Sequence, residues 1–318
     1  MMVKQKHIPH GWITLNKPVG LSSAKAVGII RRFFGGIKAG HAGTLDPLAC
    51  GVLPIALGEA TKTVSYVVVA EKSYNFIVRW GAETQTDDIE GEITRTSDYC
   101  PSVEEIKAKL PQFTGLIKQV PPLFSAVKVN GTRAYALARS KTKLPDKRQE
   151  IALNPREVMI NKFELTGHSG QQTTFTVQCG KGTYIRALAR DIGRSLGSAA
   201  HVVFLERHAV GRFKIEDAID LDFFEKALYS ARAYDYVIPV MTVLDDIPAL
   251  AITEQEAQKL RFGQTFSLDN DRSYMFSKPA KANESSAPIT GLAAVGKLPI
   301  ALVRLDKQIV SPVRVLNL

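Results

Sequence analysis

Cysteine is scarce in this chain. Cys50, Cys100 and Cys179 stand far apart with no CxxC pair. An odd, scattered set gives neither a disulfide framework nor zinc-ligand spacing, and it fits a reducing compartment. Long apolar runs are also missing. The longest, residues 64–70, is interrupted by Ser65 and Tyr66 and falls far short of the ~20 residues a membrane span needs. The opening MMVKQKHIPHGW is basic but has no apolar signal core, so a soluble, cytoplasmic protein without membrane partners is expected. No GxxxxGK[ST], HExxH, EF-hand or GxSxG string occurs, and no repeat at a fixed period. His201 and His208 are seven apart and lack the i, i+4 spacing of paired helix ligands. Neither a metal nor a cofactor is expected from these absences.

What is present is ordinary in bulk and unusual in charge. The 318 residues are 45% hydrophobic and 23% charged, which suits about two globular domains. We read 1–245 as a mixed α/β body and 246–318 as a small, mostly β appendage. Forty-one Lys and Arg against thirty-one Asp and Glu leave +10. Such an excess points to a polyanionic partner, either nucleic acid or an anionic surface.

Local patterns place the elements. Ser22 or Ser23 can cap a helix to about Phe34, with Val27, Ile30 and Phe34 at core spacing. Tyr74, Phe76, Val78 and Trp80 alternate with Asn75, Ile77 and Arg79 and predict a strand with one buried face. Thr173 to Cys179 predicts another strand, and a helix beginning near Thr183 sets Ile185, Leu188, Ile192 and Leu196 on one side. Ser102 with Glu105, and Thr253 with Glu256, form capping boxes. Ile300–Arg304 and Ile309–Val315 are strand-like. The stretch 277–288 is a Pro-, Ser- and Ala-rich loop.

Two constellations could carry chemistry. The first is the glycine-punctuated loop from Gly40 to Gly51, in which Asp46 precedes Pro47. By spacing alone Asp46 reads as the cap of a short helix. The sharper alternative is a carboxylate kept ionised by the helix N-terminus, and therefore nucleophilic. The second is Arg186, Arg190 and Arg194 at helical spacing, opposite the apolar face. Such a stripe reads first as a solvated face, and otherwise as a phosphate-binding one. Arg207, Arg212 and the basic segment 131–148, with Tyr135 inside it, extend the same expectation of phosphate contact. Charges interleaved with rings suit RNA. Tyr74 reads as a core strand tyrosine or as a ring beside a nucleobase.

The strings LNKPVGLSS (15–23), GHAGTLDPLACGVLPIALGEATK (40–62), VPPLFSAVKVNGTRAYALAR (120–139), GKGTYIRALARDIG (180–193) and AHVVFLERHAVGRF (200–213) together resemble the bacterial TruB-type tRNA pseudouridine synthases, in order from about residue 11 to 245. The resemblance implies a pseudouridine-synthase α/β (α+β) fold with a mixed, largely antiparallel sheet flanked by helices, and a C-terminal PUA-like β domain. It implies an isomerase that converts uridine 55 in the T arm of tRNA to pseudouridine, as a monomer without cofactor or obligatory protein partner. By the same resemblance Asp46 is the reacting carboxylate, Arg186 pairs with it, and Tyr74 stacks on the flipped uracil. Tyr184 and Leu205 wall the base pocket, and His41 fills the vacated place in the loop. Lys17 and Lys62 either contact phosphate or brace the loop. Gln85 stands in the TQTDD turn where a charged residue is expected. Two rivals remain at this level: a guide-RNA-dependent ribonucleoprotein subunit, and an RNA-binding module in which Asp46 is only a cap.

Overall fold

Alternating burial along single strands builds a broad sheet, and the helices that close it start at the capping residues. The computed structural model describes residues 9–129, 131–143, 153–226, 231–245, 247–269 and 289–318. The loop 277–288 and the 144–148 end of the basic segment lie outside these residues. The chain enters through β1 (Gly11–Lys17), α1 (Ser23–Phe33), β2 (Ala39–His41) and β3 (Cys50–Leu57). Ser22 caps α1 by accepting the Lys25 N–H. After α2 (Val64–Val69) comes β4 (Lys72–Trp80), whose Tyr74, Phe76, Val78 and Trp80 are buried as the alternation required. The hairpin β5 (Ala82–Thr84) and β6 (Ile93–Thr96) precedes α3 (Val103–Lys109), which carries the Ser102–Glu105 capping box. Next are β7 (Gly115–Gln119), the small hairpin β8 (Lys128–Val129) and β9 (Thr132–Arg133), and α4 (Ala134–Lys143). The long pair β10 (Arg156–Ser169) and β11 (Gln172–Cys179) leads to α5 (Ile185–Ser195) and then β12 (Ala200–Val210).

One eleven-stranded sheet holds most of these elements. Its path runs from the short strand Ile219–Asp220 through β1, β3, β12, β4, β11 and β10 to β7. The pairs β1 with Ile219–Asp220 and β3 with β12 are parallel, and the other neighbours along the path are antiparallel. The sheet is therefore mixed and largely antiparallel. Its core gathers Ile13, Leu53, Phe76, Val78, Phe175 and Val202 beneath Ile30 of α1 and Leu188 and Ile192 of α5. Trp80 buries its ring and donates from Nε1 to the Thr173 hydroxyl at 2.9 Å, so its single N–H is satisfied inside the core.

A second sheet of five strands runs in the order Ala249–Ala251, Ile289–Val295, Leu298–Asp306, Ile309–Val315, Phe266–Ser267. The helix Glu254–Arg261, started by the Thr253–Glu256 box, packs Ala257 and Leu260 into its core. A seam joins the two sheets: Leu292, Leu302 and Leu316 share a buried cluster with Trp12, Val52, Val210 and Phe213. Among the described residues no helix is long and apolar enough to cross a membrane.

Candidate active site

The loop between β2 and β3 is clamped from behind before it presents any chemistry. Ser23, the first residue of α1, accepts the Leu45 N–H and donates to the Leu45 carbonyl, both at 2.8 Å. Gly20 N–H donates to the Pro47 carbonyl at 2.7 Å. Leu45, Leu48 and Ala49 are drawn into the core, and Cys50 already belongs to β3. That leaves room for one turn, closed by Ala49 N–H on the Asp46 carbonyl at 3.1 Å, and no helix follows Asp46. The capping reading of Asp46 is thus corrected, and with it the helix-terminus argument for its ionisation.

Arg186 holds the Asp46 carboxylate. Its Nε and Nη2 both reach Asp46 Oδ2, at 2.9 and 2.8 Å. The same guanidinium donates to the Thr86 carbonyl at 2.5 Å and the Phe124 carbonyl at 3.1 Å, and lies 3.3 Å from Asp88 Oδ2. Arg186 is 5% exposed at its side chain while Asp46 is 37% exposed. A fixed cationic fork therefore holds one carboxylate oxygen from below, and no described residue donates to Oδ1.

Of the rest of the arginine stripe, Arg190 faces inward, against expectation, and Arg194 stays exposed at the solvent end. Arg190 is buried and donates to Asp87 at 2.9 Å, to Asp191 at 2.9 Å and to the Val120 carbonyl at 2.8 Å. Arg194 grips Glu83 with Nε and Nη2, and Arg95 reaches the same carboxylate at 2.7 Å. Glu83, Asp87 and Asp88 are themselves buried. Burial pushes the Asp87 carboxyl up to about 6, against the downward pull of Arg190 and Arg186. Carboxylates in a dry turn need cations, and the arginines of α5 supply them. Arg190 is therefore committed to protein and not to phosphate, while Arg194 pairs with Glu83 and keeps an exposed side chain. The sequence reading noted the TQTDD turn but missed its pairing with α5; the signal was the spacing of Glu83, Asp87 and Asp88, which matches the rungs on α5.

The remaining candidates divide. Tyr74 is buried on β4, directly across from Arg207 on β12, and burial raises its hydroxyl's pKa while Arg207 pulls it down. Tyr184 precedes α5 with no side-chain cap of its own. The buried Gln119 amide holds it instead, accepting its N–H at 2.8 Å and donating to its carbonyl at 3.0 Å. The charge of Asp46 is felt at both tyrosines. Leu205 is buried opposite Phe76 in register. His41 is half-buried on β2, its pKa lowered by burial and by Arg207; its Nδ1 is enclosed and has no partner among the described residues.

Lys17 is wholly buried and donates to the Pro18 and Leu21 carbonyls at 2.8 and 2.7 Å, and burial pushes it down to about 8. It braces the turn after β1 and cannot meet a phosphate. Lys62 pairs with Glu59 and donates to the Val315 carbonyl, both at 2.7 Å. It ties the body to the C-terminal sheet, outside the 40–51 loop. Arg207 also leaves the expected phosphate face, buried on backbone carbonyls, while Arg212 stays exposed and pairs with Asp245 and the Thr242 carbonyl.

Comparison with known proteins agrees with this architecture. A family model described as "TruB family pseudouridylate synthase (N terminal domain)" matches residues 31–185, and one described as "tRNA pseudouridylate synthase B C-terminal domain" matches 186–247. The second begins within the first turn of α5, inside the large sheet's body and not at the second sheet. A protein of Caulobacter vibrioides named "tRNA pseudouridine synthase B" is 44% identical over 97% of this chain and 96% of its own. One of the same name from Bradyrhizobium diazoefficiens is 49% identical over 81% of this chain and 75% of its own. Among solved structures, a chain in "Crystal Structure of a Cbf5-Nop10-Gar1 Complex" is similar with a TM-score of 0.70 at 23% identity, covering 98% of this chain and 86% of that one. At that identity the likeness concerns the fold alone.

Proposed function

Because the chain belongs to the TruB family of pseudouridylate synthases, we propose that it isomerises uridine 55 in the T arm of tRNA to pseudouridine, with Asp46 as the reacting carboxylate. The observation that carries this reading is the half-open Asp46, one oxygen of which rests in the buried Arg186 fork. The names borne by the relatives support tRNA as the substrate class. The reaction breaks the bond between C1′ and N1 of the base, turns the uracil, and joins C1′ to C5, whose hydrogen leaves as a proton. No electrons enter, so what the protein must supply is an ionised carboxylate, a walled slot and exclusion of water.

Each part has a residue. Arg186 grips one oxygen of Asp46 and fixes its orientation. The target base must leave its stack to reach the carboxylate, and Tyr74, Tyr184 and Leu205 offer the ring faces and apolar wall that replace the lost stacking. His41, on β2 before the loop, is assigned to the place in the RNA that the base vacates. We assign residues 1–245 to catalysis and 246–318 to a PUA-like RNA-binding unit. In this reading the enzyme acts in the cytoplasm as a monomer that needs no partner but the tRNA.

The test is a T-arm hairpin carrying tritium at C5 of its uridines. Release of tritium to water without guide RNA, metal or nucleotide is expected. Asp46→Asn should abolish release and leave RNA affinity within about tenfold, ~1.4 kcal/mol. Release that depends on a guide RNA, or that survives in Asp46→Asn, rejects the reading.

A further inference from the structure

Arg207 is the most deeply buried guanidinium among the described residues, at 1% exposure, and it has no carboxylate partner among them. It donates to the Val52 carbonyl at 2.8 Å and the Gly43 carbonyl at 2.9 Å, with the Thr44 carbonyl at 3.5 Å. A buried charge without a counter-charge is costly to the fold, so a packing role alone does not account for it. Its place in the sheet is specific. On β12 it stands in register with Gly51 of β3 on one side and Tyr74 of β4 on the other. The guanidinium also lies beside the Tyr74 hydroxyl.

Two glycines of the 40–51 loop mark where the chain passes this residue. Gly51 has φ +97°, and a Cβ there would strike the Arg207 backbone. Gly43 has φ +101°, and a Cβ there would press on Arg207 Nη1 at 3.4 Å. Both positions combine a left-handed backbone with close approach, which only glycine meets without strain.

We propose that Arg207 is a positioning residue of the catalytic centre, holding the Gly43–Thr44 carbonyls of the Asp46 loop and the Tyr74 hydroxyl in one fixed relation. The proposal rests on the reading of Asp46 as the reacting carboxylate. One fork spans the loop and the strand that between them must hold the base; a lysine has a single ammonium and cannot reach the same set together.

The test compares Arg207→Lys and Arg207→Gln with the native chain, in Tyr74 and Tyr74→Phe backgrounds. Single-turnover tritium release at saturating hairpin, the hairpin dissociation constant and thermal melting are measured for each. Arg207→Lys should slow release about a hundredfold while affinity stays within about threefold. In the Tyr74→Phe background the same substitution should slow release at least about tenfold less, because the shared contact is already gone. A native rate in Arg207→Lys, or an equal slowdown in both backgrounds, overturns the proposal. If neither Arg207 variant melts cooperatively, Tyr74→Phe alone decides: slowed release at native affinity supports it, and a native rate overturns it. A native chain that releases no tritium defeats the isomerase reading itself, which is a different outcome.

Discussion

The two sheets bury different things. The large one encloses Lys17, Lys72, Glu83, Asp87, Asp88, Arg186, Arg190 and Arg207. The C-terminal one, among its described residues, encloses no charged side chain; its core is Leu250, Leu260, Phe266, Ile300, Val303 and Val310, with Arg304, Lys307 and Arg314 left in water. Apolar burial alone makes a stable sheet, so the charges inside the body are not there for stability. They surround one loop and one helix, and their arrangement follows the chemistry proposed for Asp46.

The largest effect should come from breaking a buried pair in the body and leaving its partner stranded. Arg190→Met strands Asp87 beside Asp191 and frees the Val120 carbonyl, and should cost about 3–5 kcal/mol of unfolding free energy. The matching change in the C-terminal sheet, Arg304→Met, should stay within about 0.5 kcal/mol. Urea unfolding of both variants checks the contrast. Similar losses at the two sites would erase it.

Next is Arg186→Lys, which keeps the charge and loses the fork. It should raise the barrier by about 2–4 kcal/mol with affinity almost unchanged. Arg194→Lys, at the solvent end of the same ladder, should change neither rate nor affinity measurably. Single-turnover rates and dissociation constants at one salt concentration separate the two. Equal effects along α5 would remove Arg186 from the reaction.

A smaller effect concerns pH. In the fold Asp87 holds its proton up to about pH 6, against 3.8 for a free side chain. Between these values the folded form binds more protons than the unfolded one, so this group's contribution falls as pH rises from about 4 to 6. Asp87→Asn should abolish that fall. Melting temperatures of both proteins across the window give the comparison, and parallel curves would mean that the proton affinity of Asp87 does not change on folding.

Local rules were legible in the sequence and long-range pairings were not. The caps at Ser22, Ser102 and Thr253, the alternation of β4, and the apolar side of α5 each depend on residues a few positions apart. The direction of the arginine stripe depends on what sheet order brings against α5, namely a turn some 100 residues upstream in which the charges of Asp87 and Asp88 had no visible partner. Asp46-Pro47 has the local form of a cap, but the pull of Leu48 and Ala49 into the core decides the backbone there. Lys17 reads as a phosphate contact or a brace of the loop, and only the fold shows it wholly buried at the end of β1, in register with Gly51 of β3. The 40–51 string and its relatives along the chain pointed to the candidate site by resemblance; its electrostatic support became visible only in three dimensions.

The smallest expected effect tests whether the two regions differ in anything besides buried charge. Each carries a capping box on an exposed helix start: Ser102 with Glu105 in the body, Thr253 with Glu256 in the C-terminal sheet. In both, the cap oxygen accepts an N–H at 3.2 Å and the glutamate accepts the cap's own N–H, at 2.9 Å in the body and 2.8 Å in the C-terminal unit. Each box carries one further contact, Tyr99 O–H to Glu105 in the body and Thr253 O–H to Glu256 in the C-terminal unit. The shared cap geometry at similar exposure should still carry a similar energy in both. Ser102→Ala and Thr253→Ala should each cost about 1 kcal/mol, with tritium release unchanged in both. Urea midpoints and slopes for the two variants measure this. If Thr253→Ala cost several times more than Ser102→Ala, the C-terminal sheet would be the marginal part of the molecule, and the contrast with the body would lie in stability, not in buried charge.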